Sequence, residues 1–209
     1  MTPRTRRIIV DGAAGPIEVA LDEPPAERVV RGTALIAHPH PLFGGTMDNK
    51  VVQTLARAAN QCGWRALRFN FRGVGGSGGV HDHGNGETQD MLHVLDTLAP
   101  QGYWVLGGFS FGAFVGSRVL TEQARRCRLP TSIVWVGTAV ARFAVEPVPA
   151  ECAERVLLVH GESDDTVPLA GVMDWARPQG LPVTVFPGGG HFFHGQLPQL
   201  RNLVARHLV

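Results

Sequence analysis

The sequence predicts an α/β fold: a mostly parallel eight-stranded sheet led by an N-terminal antiparallel hairpin, with helices on both faces. Three observations carry this. Apolar runs at 6–10 and 16–21 flank Asp11-Gly12 and read as two strands folded back on each other, with a loop slightly long for a tight hairpin. From residue 33 onward, short apolar runs alternate with segments of helical apolar period, the pattern of strand–helix units feeding a parallel sheet. Within that alternation a serine stands between glycines, Gly108-Phe109-Ser110-Phe111-Gly112. With 209 residues the chain is long enough to bury a sizeable core, and one domain over 1–209 is the expectation.

The elements follow in order. Thr33-Ala34-Leu35-Ile36-Ala37 is the third strand. A helix over 49–62 places Val51, Val52, Leu55, Ala58 and Ala59 on one face, and Asp48 is its expected N-cap. Strand 65–69, a glycine-rich loop and helix 87–98 come next. Strand 103–107 enters the glycine-flanked serine, and helix 113–124 leaves it. Strands near 132–136, 155–159 and 183–186 and helices near 169–176 and 197–207 complete the series. Gly73-Val74-Gly75-Gly76-Ser77-Gly78 fits the G-x-G-x-x-G pattern of dinucleotide sites. However, no helix begins within the turn, and the preceding strand is not the first of the sheet, so a flexible loop is the better reading. There is no internal repeat, low-complexity tract or interdomain linker.

Bulk chemistry excludes several classes. The net charge is +1, too small for a field that would gather nucleic acid or a membrane surface. Lys50 is the one lysine among 19 basic residues, a compositional bias with no bearing on function. Arg4, Arg6 and Arg7 precede only three apolar residues, too few for a signal peptide, and no run approaches transmembrane length. Cys62, Cys127 and Cys152 are scattered and form no disulfide or metal pattern, which points to a reducing cytoplasm. His38, His40, His81 and His83 lack further ligands at coordinating spacing, so no metal and no cofactor are expected. No single surface element reads as an interface between subunits.

The chemistry centres on Ser110. A serine at a sharp strand-to-helix turn pushes its hydroxyl clear of the sheet, and side chains two residues away on either side would clash there. Glycine at 108 and 112 removes that clash. The serine needs a base, and nine histidines are available. His191 follows the last predicted strand after Pro187-Gly188-Gly189-Gly190 and precedes the final helix, with His194 as the competitor. His93 reads as a packed or surface helix residue and His207 as solvated. A carboxylate must orient the imidazole. The run 157–168 ends in a turn bearing Glu162, Asp164 and Asp165, and spacing alone does not decide between the two aspartates. The chain order is Ser, Asp, His.

These segments resemble the serine α/β-hydrolases, and within them the small bacterial esterase-like and dienelactone-hydrolase-like proteins. The resemblance rests on His38-Pro39-His40-Pro41 with Gly44-Gly45, Asn70 to Ser77, the turn at Ser110, and His160 to Pro168 with Gly190-His191. It implies that Ser110, Asp164 and His191 form a catalytic triad, with the acid on the fifth residue of the motif that starts at His160. Dienelactone hydrolases carry a cysteine where Ser110 stands, which sets their particular reaction apart. The resemblance also implies an oxyanion hole built from the backbone N–H of Phe111 and one donor from the loop after the third strand. Pro39 and Pro41 have no N–H, leaving His38, His40 and Leu42, of which His40 matches the family's donor position. Only 18 residues separate strand 132–136 from the next, too few for a cap domain. An open cleft is therefore expected, lined from among Leu42, Phe43, Phe111, Phe143, Phe192 and Phe193. The implied activity is a carboxylesterase cleaving short or medium acyl esters of small molecules. A thioesterase or acyltransferase uses the same triad, and a noncatalytic binding protein can keep the fold.

Overall fold

The computed structural model describes residues 5–209; residues 1–4, and so Arg4 of the basic start, lie outside the described residues. One sheet holds β1 (Thr5–Gly12), β2 (Gly15–Asp22), β3 (Gly32–Ala37), β4 (Trp64–Phe69), β5 (Trp104–Phe109), β6 (Ser132–Val136), β7 (Val156–Gly161) and β8 (Val183–Phe186). Their order is β1-β2-β4-β3-β5-β6-β7-β8. β1 and β4 each run antiparallel to β2, and the remaining neighbours are parallel. The hairpin is tighter than the apolar runs indicate. Asp11 and Gly12 pair with Pro16 and Gly15, because a ladder needs backbone groups and accepts residues that carry no apolar signal.

The helices are α1 (Lys50–Gln61), α2 (Asn85–Leu98), α3 (Phe111–Arg125), α4 (Leu169–Ala176) and α5 (Leu197–His207). α1 and α5 cover one face, packing Val51, Leu55, Leu200 and Val204 over Ile36, Phe109 and Val159. α2 and α3 cover the other, where Met91, Leu95, Phe114 and Val119 meet Leu35, Leu67 and Trp135. Each such Val or Leu contributes roughly 1.5–3 kcal/mol by leaving water. The central strands are buried on both faces, which is why they read as continuous apolar runs.

One boundary differs from the sequence reading for a chemical reason. Asn49 caps α1 in place of Asp48, its Oδ1 accepting the Val51 N–H at 2.9 Å. Asp48 is drawn away by Arg7 at 2.7 Å and Arg68 at 3.0 Å. The glycine-rich loop after β4 is tied down from several sides. Asn70 accepts the Met47 N–H and donates to Glu18, and Arg72 makes two hydrogen bonds to Asp90 on α2. No helix starts inside this loop; α2 begins at Asn85. No helix among the described residues is long and apolar enough to cross a membrane.

Candidate active site

β5 lies inside the sheet between β3 and β6, and Ser110 follows directly at its C-terminal end. The serine has φ 55° and ψ −114°, a strained conformation for a residue with a side chain. The flanking glycines allow it. A Cβ on Gly108 would lie 2.6 Å from Gly112 O, and one on Gly112 would lie 2.4 Å from Ala37 O. The turn therefore nests against the end of β3, which brings the loop carrying His38 and His40 beside the serine.

Two further strand ends complete the cluster. His191 leaves the loop after β8, and its Nε2 lies 3.0 Å from Ser110 Oγ. Asp164 follows β7, and its Oδ2 lies 2.7 Å from His191 Nδ1. A carboxylate only accepts, so Nδ1 carries the proton and the bare Nε2 accepts the serine hydroxyl. Asp164 Oδ1 accepts the Thr166 and Val167 N–H groups at 2.9 and 2.7 Å. Burial alone would raise the Asp164 pKa, but the hydrogen bonds from His191 and the Val167 N–H, with the nearby imidazoles, hold it below the usual range. Asp165 is exposed and accepts the Thr166 hydroxyl instead. His194 is exposed and has no contact with Ser110 among the described residues. His93 bonds Asp11 O, while His207 is half-buried against Arg155 O rather than solvated.

The β3 loop resolves the choice among its N–H groups in part. The Leu42 N–H is taken by His40 Nδ1 at 3.2 Å. No backbone carbonyl among the described residues accepts the N–H of His40 or of Phe111, the first residue of α3. His38 is fully buried; its Nε2 accepts the Phe71 N–H at 3.0 Å, so its Nδ1 carries the proton and donates to Pro39 O at 2.6 Å. Pro39 C=O and His40 N–H belong to one trans peptide and point in opposite directions. His38 thereby sets which way the His40 N–H faces. Nothing in the sequence marked this role.

Above the serine opens a cavity of about 310 Å³. Its walls include Phe43, Phe111, Phe143, Val167 and Phe192. Of the residues expected to line the cleft, Phe193 instead lies in the core, and Leu42 stands exposed outside the lining. The 137–155 segment between β6 and β7 contributes Ala139, Arg142 and Phe143 to the wall. It is held by Phe143 stacked on Phe114 at 4.7 Å, Ser117 Oγ on the Glu146 N–H, and Trp175 Nε1 on Val145 O. No group of three His, Cys, Asp or Glu among the described residues is arranged to hold a metal ion.

Comparison with known proteins gives relatives that include the following three. An uncharacterised protein of Rickettsia prowazekii is 45% identical over 188 residues, covering 84% of this chain and 78% of that protein. A lidless α/β serine hydrolase from Xanthomonas campestris is 32% identical with a TM-score of 0.88, covering 100% of this chain and 95% of that one. An α/β serine hydrolase homologue from Coxiella burnetii is 35% identical with a TM-score of 0.83, covering 100% and 99%. No protein-family model matches the sequence.

Proposed function

The chain belongs to the α/β serine hydrolases, and we propose that within them it is a carboxylesterase cleaving short or medium acyl esters through an acyl-enzyme. The observation that carries this reading is the hydrogen-bonded series Asp164–His191–Ser110 at the floor of an apolar cavity. His191 Nε2 takes the Ser110 proton as Oγ bonds to the ester carbonyl carbon. The carbonyl oxygen becomes an oxyanion, stabilised by the N–H groups of Phe111 and His40. As the tetrahedral intermediate collapses, the C–O bond to the alcohol breaks and His191 returns the proton to the leaving oxygen. Water then attacks the acyl-enzyme, with His191 again as base, releasing the acid and restoring Ser110. Asp164 holds the imidazole tautomer throughout and offsets the charge of the imidazolium.

Turnover of aryl esters of increasing acyl length tests this. Asp164→Asn is expected to lower kcat by about 10⁴-fold, whereas Asp165→Asn leaves it within a few-fold of wild type. Equal losses in the two variants, or a larger loss in the second, would contradict the assignment of the acid.

A further inference from the structure

The cavity over Ser110 has polar side chains that the hydrolytic steps do not use: His40, Asn49, Arg142 and Thr166, whose hydroxyl donates to Asp165 Oδ1. The acceptor atoms of His40 and Asn49 are already engaged. His40 Nδ1 accepts the Leu42 N–H, and Asn49 Oδ1 accepts the Val51 N–H. Because Nδ1 accepts an N–H it carries no proton, so the ring is neutral with its proton on Nε2; burial, with His81 and Arg142 nearby and Glu87 opposing, lowers the His40 pKa in the same sense. What His40, Asn49 and Arg142 still offer is therefore donors: an imidazole N–H, an amide NH₂ and a guanidinium.

Arg142 has no carboxylate partner among the described residues; its guanidinium carbon lies 6.0 Å from the exposed Phe43 ring at the cavity lip. Its backbone is fixed, since the Arg142 and Phe143 N–H groups both bond Ala139 O. Nearby carboxylates are turned away from the opening. Asp164 is held by His191, Thr166 and Val167. Glu87 is fully buried, accepts the Asp82 and Gly84 N–H groups, and lies 2.8 Å from His81.

We propose that this cavity selects esters carrying a free carboxylate, with Arg142 as the residue that recognises it. The inference rests on the hydrolase reading and names its substrate class. A carboxylate presents only acceptors, and it complements the donors that His40, Asn49 and Arg142 present, the last of them cationic. The apolar walls take up the hydrocarbon part of the same substrate. A cationic ester meets the Arg142 charge there instead of a counter-ion, and a neutral one gains no ion pair.

The carboxylate can belong to the acyl or the alcohol half, and two matched pairs separate these. One compares phenyl hemisuccinate with phenyl methyl succinate. The other compares 3-carboxyphenyl butyrate with its methyl ester. In one pair the free acid is expected to exceed its methyl ester in kcat/KM by roughly tenfold. Arg142→Gln, at an exposed position, is expected to bring that ratio towards one, and high salt to reduce it in the wild type. Free acids no better than their methyl esters in both pairs, or a preference that survives Arg142→Gln, would overturn the proposal. Fluorophosphonate labelling of Ser110 without turnover of any of the four esters would overturn the substrate class and leave the nucleophile standing. Absence of both labelling and turnover would remove the hydrolase reading, and this proposal with it.

Discussion

Ser110 and His38 each hold an unfavourable state that their surroundings impose. Ser110 occupies positive φ, where a side chain costs of order 1–3 kcal/mol, and the close approach of Gly108 and Gly112 to neighbouring backbone keeps it there. His38 is kept neutral. Burial pushes its pKa down to about 4, only partly opposed by its bond to Pro39 O, with the neighbouring His40 imidazole acting in the same direction as burial. In the unfolded chain the same imidazole titrates near the ordinary 6.5. Between those two values the unfolded state binds the extra proton, so stability is full above about pH 6.5 and is lost as pH falls towards 4. The single-site contribution is on the order of 3 kcal/mol. Urea unfolding at neutral pH and near pH 4.5 is expected to show wild type losing more stability on acidification than His38→Gln. Parallel losses in the two proteins would mean that His38 is not the group responsible.

At the level of elements, the strand–helix alternation was legible because central parallel strands are apolar on both faces and α1 carries a helical apolar stripe. Boundaries were less legible where they depend on distant partners. Asp48 and Asn49 are equally good caps by residue type, and only Arg7 and Arg68, brought in by β1 and β4, take Asp48 out of contention. The glycine-rich loop has a similar explanation. Its pattern resembles a phosphate cradle, yet Arg72 at its root is bound to Asp90 on α2, and both side chains are largely buried. That pair fastens the loop to the helix. Arg72→Met leaves an unpaired buried carboxylate and is expected to cost about 3–5 kcal/mol in denaturant unfolding. Removing Asp90 as well, as Arg72→Met with Asp90→Leu, is expected to restore much of that loss. A double variant no more stable than the single one would show that the pair's geometry, rather than the stranded charge, sets the cost.

Across the whole molecule, the sheet converts distance along the chain into proximity. Ser110 and His191 are 81 residues apart and Asp164 and His191 are 27 apart, yet the three lie in contact because β5, β7 and β8 end on the same edge. These residues were legible because each sits in a local motif: glycines around the serine, a glycine run before the histidine, an acidic turn after an apolar strand. Spacing left Asp164 and Asp165 level; the fold buries the first beneath His191 and leaves the second in solvent. Arg142, Asn49 and the bond from His38 to Pro39 had no such signature. Their significance arises only where the 137–155 segment, the start of α1 and the β3 loop converge on one cavity. The central claim, that the meeting of Asp164, His191 and Ser110 at the ends of β7, β8 and β5 activates the serine, is tested most directly by intact-mass measurement after fluorophosphonate treatment of wild type and Ser110→Ala. A single adduct on wild type and none on the variant is the predicted result. No adduct on folded wild type, or an equal adduct on Ser110→Ala, would contradict it.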